Sequence, residues 1–236
     1  MLRLDDISVS IGPVGILRNV GFELRDGEFA GLIGRNGAGK TTLLRTVMGL
    51  LPWRNGTLTF DSQSLAQLPT HGRVRLGIGY MPEDRRLVPG LTVEENVLLP
   101  VWSARLTDGA ARLQRVYAAI PEVREFGTRR ALQLSGGQQK LVALARAMVA
   151  GSKLLLLDEP FEGVAPVLAR RLADVIGGLR TSGATVIAGD RLQDIINEEQ
   201  ELVEADQRRA GLFRALAIAL LGWFLRQPSV DLGRLV

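Results

Sequence analysis

The stretch from Gly34 to Thr42 constrains this chain more than any other. It reads Gly-Arg-Asn-Gly-Ala-Gly-Lys-Thr-Thr and fits the phosphate-binding loop pattern G-x-x-x-x-G-K-[ST] at every fixed position. The apolar run 29–33 before it predicts a buried strand, and residues 41–48 after it predict a helix. The sequence therefore predicts a strand–loop–helix unit that binds phosphate.

Each part of this loop has a physical role in holding a nucleotide. Glycines let the backbone curl so that successive N–H groups point at phosphate oxygens, and the helix N-terminus adds partial positive charge. We expect Lys40 to hold the β- and γ-phosphates and the Thr41 hydroxyl to bind Mg²⁺. The predicted nucleotide-binding residues of the loop are Gly34, Asn36, Gly37, Ala38, Gly39, Lys40, Thr41 and Thr42.

A second candidate site element follows the apolar run 154–157, which is typical of a buried parallel strand. Asp158 and Glu159 come directly after it. Since the carboxyl ends of the strands form the binding crevice of an open α/β sheet, we expect both acids to face the nucleotide. Asp158 suits the Mg²⁺ shell, and Glu159 suits activation of an attacking water. The alternative, a strand capped by solvated acids, is disfavoured by the intact phosphate loop.

A Ser-Gly-Gly turn provides a third candidate. It opens a predicted helix that runs through residues 139–146. The free N–H groups at such a helix end make an anion site on physical grounds. The predicted residues of this second anion site are Ser135, Gly136, Gly137 and Gln138.

The remaining pattern predicts an α/β fold with additions. Residues 2–11 and 16–24 alternate apolar and polar side chains, as two half-buried antiparallel strands do. Further strands are predicted at 56–60, 76–81 and 184–188. Residues 91–132 are mostly helical in pattern, opened by the capping box Thr92–Glu95 and broken at Gly109 and Pro121.

Composition narrows the class of protein. The chain has 236 residues, 46% of them hydrophobic, and no cysteine, which excludes a disulfide framework and a thiolate metal site. Acidic residues near the N-terminus argue against a signal peptide, so we expect the cytosol. The net charge of +4 is dispersed along the chain and is a weak argument for nucleic acid.

The order and separation of GRNGAGKTT, LSGGQ and LLLLDEP resemble the ATP-binding subunits of ABC transporters, over about residues 2–190. The segments GIGYMPEDRR, LTVEEN and GVAP look like those of the ATPases of branched-chain amino-acid and amide importers. The resemblance implies a P-loop NTPase (ABC ATPase) core with an antiparallel β subdomain, as a domain of residues 1–190 with a helical subdomain at about 91–150. It also implies that Glu83 replaces the glutamine of the family's Q-loop and contributes to catalysis and to Mg²⁺ binding.

The same resemblance implies the function and the partners. The cofactors are ATP and Mg²⁺, and the chain pairs head-to-tail with a second ABC ATPase subunit, a copy or a paralogue. Each ATP then lies between one subunit's phosphate loop and the other's Ser-Gly-Gly turn. The pair drives two permease subunits, which receive substrate from an extracytoplasmic binding protein. We expect an importer ATPase on the inner face of the cell membrane, with no nucleic-acid partner.

The chain departs from the family pattern at four places. Ile11 replaces the aromatic residue that stacks on adenine, which removes a contact of about 1 kcal/mol. No histidine stands near Arg191, where the family has a switch histidine, and His71 is expected to be a solvated loop residue. Ala165 replaces an aspartate, as in the branched-chain subfamily. The family's closing strands are not evident after Asp190.

Two alternatives therefore stay open beside the importer. One is a non-transport ABC ATPase, and the other is a catalytically impaired or truncated ABC ATPase module. The atypical tail, residues 191–236, is predicted to be helical. Its acidic part, 192–209, suits a solvated helix. Its apolar part, 212–225, suits a helix that lies on a membrane surface, against the permease or on its own domain. A fragment unrelated to the fold is a further alternative. The uninterrupted apolar run 215–225 falls short of the roughly 20 residues that cross a bilayer.

Overall fold

The structure is a computed structural model that describes residues 2–189 and 216–217. The first three elements are strands, and three consecutive helices lie near the middle of the chain. The strands are β1 (Leu2–Ile11), β2 (Val14–Leu24), β3 (Phe29–Leu32), β4 (Asn55–Phe60), β5 (Gln63–Ser64), β6 (Ile78–Met81), β7 (Leu154–Leu157), β8 (Thr185–Gly189) and β9 (Leu216–Ala217). The helices are α1 (Lys40–Val47), α2 (Thr70–Arg75), α3 (Val93–Ala104), α4 (Gly109–Ala119), α5 (Pro121–Glu125), α6 (Gly136–Ala150) and α7 (Pro166–Thr181), with a 3₁₀ turn at Ala131–Gln133.

One sheet is antiparallel and has the strand order β2-β1-β4-β5. Leu2 pairs with Leu24 and Leu4 with Phe22 across the β1–β2 ladder. Leu2 and Leu4 are buried while Arg3 between them is exposed, because successive side chains of a strand point to opposite faces. The prediction of two half-buried antiparallel strands is confirmed.

The second sheet is parallel and has the order β6-β7-β8-β3-β9. All residues of β7 are buried, as expected of a central strand covered on both faces. Because the strands are parallel, their carboxyl ends lie at one edge of the sheet. The phosphate loop, the segment after Met81, the two acids after Leu157 and the end of β8 at Gly189 all meet there.

The parallel sheet separates two hydrophobic clusters. Leu155 and Leu157 of β7 point into a cluster with α3, α4 and α6, whereas Leu154 and Leu156 point into a cluster with α1 and the antiparallel sheet. Strand alternation thus lets one short strand contribute to both clusters. This packing fixes the phosphate loop between the two sheets.

The region predicted to be helical contains α3, α4, α5 and the 3₁₀ turn, and α6 packs against α3, α4 and β6. The predicted capping box is confirmed, since the Thr92 side chain accepts from the Glu95 amide and the Glu95 carboxylate accepts from the Thr92 amide at 2.7 Å. Gly109 and Pro121 each stand at the first residue of a helix, so they mark helix starts where the sequence predicted breaks.

The tail differs from prediction at the only two residues of it that are described. Leu216 and Ala217 form a strand, not a helix, and pair in parallel with Ala30 and Gly31 of β3. Without this strand β3 would be an edge with open backbone N–H and C=O groups, which favours pairing over a helix here. The other predictions for residues 191–236 lie outside the described residues. Within the described ranges, no helix is long and apolar enough to cross a bilayer.

Candidate functional site

The phosphate loop connects the end of β3 to the start of α1. Gly39, at the N-cap of α1, has φ +95°, and a Cβ there would lie 2.8 Å from Leu17 Cδ2. Only glycine fits both the backbone angle and the close approach of β2. The N-cap makes no side-chain hydrogen bond to the helix, so the first amides of α1 are not capped in this way. This arrangement suits an anion at the helix end.

A cavity of about 760 Å³ lies over this loop, within the range of small-ligand sites. It brings most of the predicted phosphate-loop residues together with two predicted acids, Glu83 and Glu159. The lining residues are Ile16, Arg35, Asn36, Gly37, Ala38, Gly39, Lys40, Thr41, Thr42, Glu83, Glu159, Phe161, Glu162, Gly163 and Val164. Gly34 and Asp158 lie at its margin, joined to it by hydrogen bonds to Lys40 and Thr41.

Lys40 lies at the centre of the predicted site and is only 5% exposed. Its ammonium donates to the Gly34 carbonyl at 2.7 Å and forms an ion pair with Glu159 Oε1 at 3.4 Å. Glu159 has a left-handed backbone, φ +47°, which is uncommon for a residue with a side chain. Strained positions of this kind cluster at functional sites. A buried cation and a carboxylate therefore face the same cavity.

Asp158 is fully buried at the end of β7, so it is not a solvated cap of the strand. Its Oδ1 accepts from the Thr41 hydroxyl at 2.9 Å, and its Oδ2 accepts from the Tyr80 hydroxyl at 3.1 Å. Burial raises the pKa of Asp158, and the hydrogen bonds from Thr41 and Tyr80 oppose this rise.

The Thr41 hydroxyl and the Asp158 carboxylate fit a Mg²⁺ ion. Both supply oxygen, the donor that Mg²⁺ prefers, and they lie beside the loop that faces phosphate. Among residues 2–189 and 216–217, no group of three or more His, Asp or Glu side chains is placed to hold a metal ion. A Mg²⁺ site of the kind predicted needs no such group, because Mg²⁺ bound with a nucleotide takes one or two carboxylates and phosphate oxygens.

Glu83 lines the cavity together with Glu162, which the sequence reasoning missed. Burial and the neighbouring Glu162 carboxylate raise the pKa of Glu83. The buried Lys140 ammonium donates to the Glu83 backbone carbonyl at 3.3 Å and fixes the loop after β6 against α6. The predicted Glu83 thus lines the cavity from the segment after β6, whereas the phosphate loop follows β3.

Tyr80 and Phe161 were also missed by the sequence reasoning. Tyr80 lies in β6 and reaches Asp158 across the sheet, while Phe161 lines the cavity two residues after Glu159. Burial and the Asp158 carboxylate raise the pKa of Tyr80. Tyr80 reaches Asp158 because β6 and β7 are parallel neighbours. The sequence pattern does not specify this pairing and therefore gave no signal for Tyr80.

The second predicted anion site forms the N-terminus of α6 but does not line this cavity. The Ser135 side chain accepts from the Gln138 amide at 3.3 Å, and the Gln138 side chain accepts from the Ser135 amide at 3.0 Å. Arg85 lies beside Gly136, its Nη1 3.2 Å from the position of a Cβ there. One chain alone does not combine the two predicted anion sites in one cavity.

Three further positions were singled out in the sequence. Ile11 is 50% exposed at the end of β1 and is not among the cavity residues. His71 is exposed, as predicted, but it lies in α2 and not in a loop. The short run 70–75 reads as a connection in sequence, whereas buried Val74 and Arg73 anchor it as a helix. The Asp190–Arg191 pair lies outside the described residues, directly after Gly189.

The chain matches the ABC transporter family over residues 17–162. It belongs to this family. The fold agrees, because a nucleotide-free ATP-binding cassette from an ABC transporter superimposes with a TM-score of 0.72 at 25% identity, over 84% of each chain. A dimeric structure of a bacterial ABC transporter cassette has a TM-score of 0.73 at 24% identity, over 84% of this chain and 90% of that one. The resemblance drawn from the motifs and the predicted fold class are confirmed.

Two groups of curated relatives are similar to this chain. The high-affinity branched-chain amino acid transport ATP-binding protein BraG of Pseudomonas aeruginosa is 36% identical over 207 residues, covering 88% of this chain and 87% of the relative. The lipopolysaccharide export system ATP-binding protein LptB of Escherichia coli K12 is 35% identical over 180 residues, covering 74% of this chain and 73% of the relative. The chain is therefore an ABC-type ATPase, the ATP-binding subunit of a transporter.

Proposed function

We propose that this chain hydrolyses ATP in the phosphate-loop cavity and acts as the energy-coupling subunit of an importer for branched-chain amino acids or related amides. The observation that carries the catalytic part is the convergence of Lys40, Thr41, Asp158 and Glu159 at one end of the parallel sheet. These side chains supply the charge and the base that phosphoryl transfer to water requires.

The phosphate loop binds the nucleotide in this proposal. Backbone amides of residues 34–42 and the N-terminus of α1 hold the phosphate oxygens. Lys40 leaves its ion pair with Glu159 to neutralise the β- and γ-phosphates. The release of Glu159 from Lys40 then frees a carboxylate for catalysis.

Thr41, Asp158 and Glu83 are the proposed ligands of Mg²⁺, directly or through water. Bound Mg²⁺ neutralises charge on the phosphate oxygens. Glu159 accepts a proton from the attacking water, a role worth about 10²–10⁴-fold in rate. Glu83 and Glu159 line the same cavity from different elements. Both are proposed to act on the γ-phosphate end of the nucleotide.

The remaining anion site is proposed to act in trans. Ser135, Gly136, Gly137 and Gln138 of one subunit hold the γ-phosphate of the ATP bound to the other. This head-to-tail dimer gives the α6 N-terminus a ligand, although it lies away from its own chain's cavity. Two permease subunits and an extracytoplasmic binding protein complete the proposed importer, with the ATPase peripheral on the inner membrane face.

Arg191 is proposed to stand in for the family's switch histidine. An arginine neutralises γ-phosphate charge, but it cannot shuttle a proton because it stays protonated. We therefore expect slow hydrolysis carried mainly by Glu159 and Lys40. Gly189, the last residue of β8, is described; a Cβ there would lie 3.9 Å from Asp158 Oδ1. Arg191 itself lies outside the described residues.

The choice of substrate rests on the relatives and on the subfamily motifs. BraG, named for branched-chain amino acid transport, aligns over 88% of this chain. LptB, named for lipopolysaccharide export, is 35% identical over 74% of the chain, so an exporter is the second candidate. The Gly-Val-Ala-Pro segment 163–166 favours the importer, as in the branched-chain subfamily.

Glu159→Gln tests the catalytic proposal. The amide keeps the shape of the side chain but cannot take a proton, so hydrolysis should fall by about 10²-fold or more while ATP remains bound. Phosphate release and binding of a fluorescent ATP analogue measure the two effects. Glu125→Gln, at the end of α5, is the matched control and should hydrolyse at the wild-type rate. Hydrolysis by Glu159→Gln at that same rate would exclude Glu159 as the base.

Purification of the ATPase from native membranes tests the transport proposal. Permease subunits and a bound extracytoplasmic protein that retains leucine, isoleucine, valine or an amide would support the importer. A complex that carries lipopolysaccharide instead would favour the exporter.

A further inference from the structure

Tyr80 is the one side chain, among those described, that reaches the proposed metal ligand Asp158 from the neighbouring strand. In the parallel register of β6 and β7, Tyr80 pairs with Leu156, two residues before Asp158. Tyr80 and Asp158 therefore lie on the same face of the sheet, the one that packs against α1. The tyrosine side chain is long enough for its hydroxyl to extend past Leu156 and reach the Asp158 carboxylate.

Both carboxylate oxygens of Asp158 are held, each by a different element. Thr41 of α1 donates to Oδ1 at 2.9 Å, and Tyr80 of β6 donates to Oδ2 at 3.1 Å. Arg45, one helical turn after Thr41, lies near enough to the Tyr80 hydroxyl to oppose the rise in its pKa. Contacts from α1 and from β6 thus meet at the carboxylate.

From this geometry we infer that Tyr80 is a positioning residue for the proposed Mg²⁺ site: it holds Oδ2 of Asp158 so that Oδ1 stays against Thr41, the other proposed ligand. The inference rests on the proposed function, since it assigns a role within that same site. Hydrogen-bonding partners of metal ligands orient them, and their loss commonly lowers metal affinity about 10–100-fold. The Tyr80 hydroxyl is the donor of this bond, and the Asp158 carboxylate is the acceptor.

Tyr80→Phe removes the hydroxyl and leaves the ring in place. We expect Mn²⁺, used as a spectroscopic substitute for Mg²⁺, to bind the complex with a non-hydrolysable ATP analogue about 10-fold more weakly. Electron paramagnetic resonance of free Mn²⁺ measures this affinity. Binding of the analogue in EDTA should remain within about twofold of wild type, because Tyr80 is not among the residues that line the cavity.

Tyr117→Phe is the matched control. Its hydroxyl also donates to a carboxylate, Glu94 Oε2 at 2.7 Å, but in the helical region away from the cavity. This substitution also removes a hydroxyl oxygen, but it should leave Mn²⁺ affinity unchanged. Equal Mn²⁺ affinity in the Tyr80 variant and in the control would overturn the inference. Equal weakening of analogue binding with and without metal would also overturn it, since Tyr80 would then act on the nucleotide and not on the metal.

If Tyr80→Phe does not fold, a measurement on protein that retains Tyr80 still tests the inference. The chain has two tyrosines, so 3-fluorotyrosine labelling gives two ¹⁹F resonances, which Tyr117→Phe assigns. Mg²⁺ added to the analogue complex should shift the Tyr80 resonance and not that of Tyr117. An unmoved Tyr80 resonance overturns the inference alone, whereas failure of the analogue to bind both with and without Mg²⁺ overturns the proposed nucleotide site itself.

Discussion

At the scale of single residues, the charge balance around Lys40 decides whether a polyphosphate can enter the cavity. The cavity is lined by three acids, Glu83, Glu159 and Glu162, and by two cations, Arg35 and the buried Lys40, which pairs with Glu159. Lys40→Ala removes that cation and leaves the carboxylates facing the phosphates. We expect ATP affinity and hydrolysis each to fall at least about 100-fold. Titration with a fluorescent ATP analogue and phosphate release measure the two losses.

Lys153→Ala is the control for this change. Lys153 is 58% exposed and pairs with Asp61 at 2.5 Å, away from the cavity. The same charge is lost from the chain, so net charge alone is tested. If Lys40→Ala binds ATP as tightly as the wild type, the phosphate loop is not the nucleotide site.

Residues with a local sequence signal were predictable, and residues that act across strands were not. Lys40, Thr41, Asp158 and Glu159 occur in short motifs whose neighbours define a strand or a helix start. Tyr80 contacts Asp158 only because β6 lies beside β7, a pairing between segments far apart in sequence. Such long-range pairing is not encoded in periodicity, so its polar contacts cannot be derived from it.

At the scale of elements, two of the described α-helices share one N-cap design. Thr92 caps α3 and Ser135 caps α6, each with a reciprocal bond to the side chain at the third helical position. Thr92→Ala and Ser135→Ala should each cost about 1 kcal/mol of stability. Only the Ser135 variant should also slow hydrolysis, since only that helix end is proposed to bind a γ-phosphate. Urea unfolding and phosphate release separate the two effects.

The more severe Ser135→Arg extends this test. A bulky side chain at the turn should abolish hydrolysis while the monomer still binds ATP. Loss of ATP binding as well would contradict a site divided between two subunits. Equal hydrolysis by Thr92→Ala and Ser135→Ala would show that Ser135 acts only as a helix cap.

An ion pair joins α5 to α7 and makes the packing of these helices depend on pH. Arg171 Nε donates to Glu122 Oε1 at 2.5 Å, and its Nη2 donates to Oε2 at 3.0 Å. The hydrogen bonds from Arg171 lower the pKa of Glu122 below its ordinary value of 4.5. A carboxyl with a lowered folded-state pKa stabilises the fold above its unfolded pKa, and this stabilisation is lost as the pH falls through the folded value.

Glu122→Gln should therefore reduce the free energy of unfolding at pH 7 by about 0.5 kcal/mol, the scale of a partly exposed ion pair. The difference from wild type should shrink as the pH falls below 4.5, where wild-type Glu122 becomes protonated. Urea unfolding at several pH values measures it. A difference that is constant with pH would show that the contact does not depend on the charge of Glu122.

Element types were predicted best where a cap or a long periodic run marked them. The Thr92–Glu95 box located the start of α3, and the apolar run before Asp158 located β7. The strand at Leu216–Ala217 was not predicted, because its apolar neighbourhood suits a helix and only the open edge of β3 favours a strand. Tertiary pairing overrode local preference at these residues.

At the scale of the whole molecule, the parallel sheet places the two anion sites on different parts of the chain. The phosphate loop adjoins the cluster formed with the antiparallel sheet, whereas α6 belongs to the cluster with α3 and α4. In the proposed head-to-tail dimer, a site that combines the two takes its Ser-Gly-Gly turn from the second subunit. If the second subunit is a copy of this chain, the two-fold symmetry of the dimer creates two equal sites.

Mixing two inactive variants tests this arrangement. Lys40→Ala lacks a working phosphate loop but keeps the Ser-Gly-Gly turn, and Ser135→Arg has the converse defect. Each variant alone should be inactive. In a mixed dimer, one site combines the intact loop of one subunit with the intact turn of the other, while the second site carries both defects. Random pairing makes half of the dimers mixed, so the mixture should regain up to about a quarter of wild-type hydrolysis. Phosphate release from an equimolar mixture, compared with each variant alone, measures the gain. A mixture as inactive as its components, although mixed dimers are detected by differential tagging, would rule out a head-to-tail pair of identical subunits.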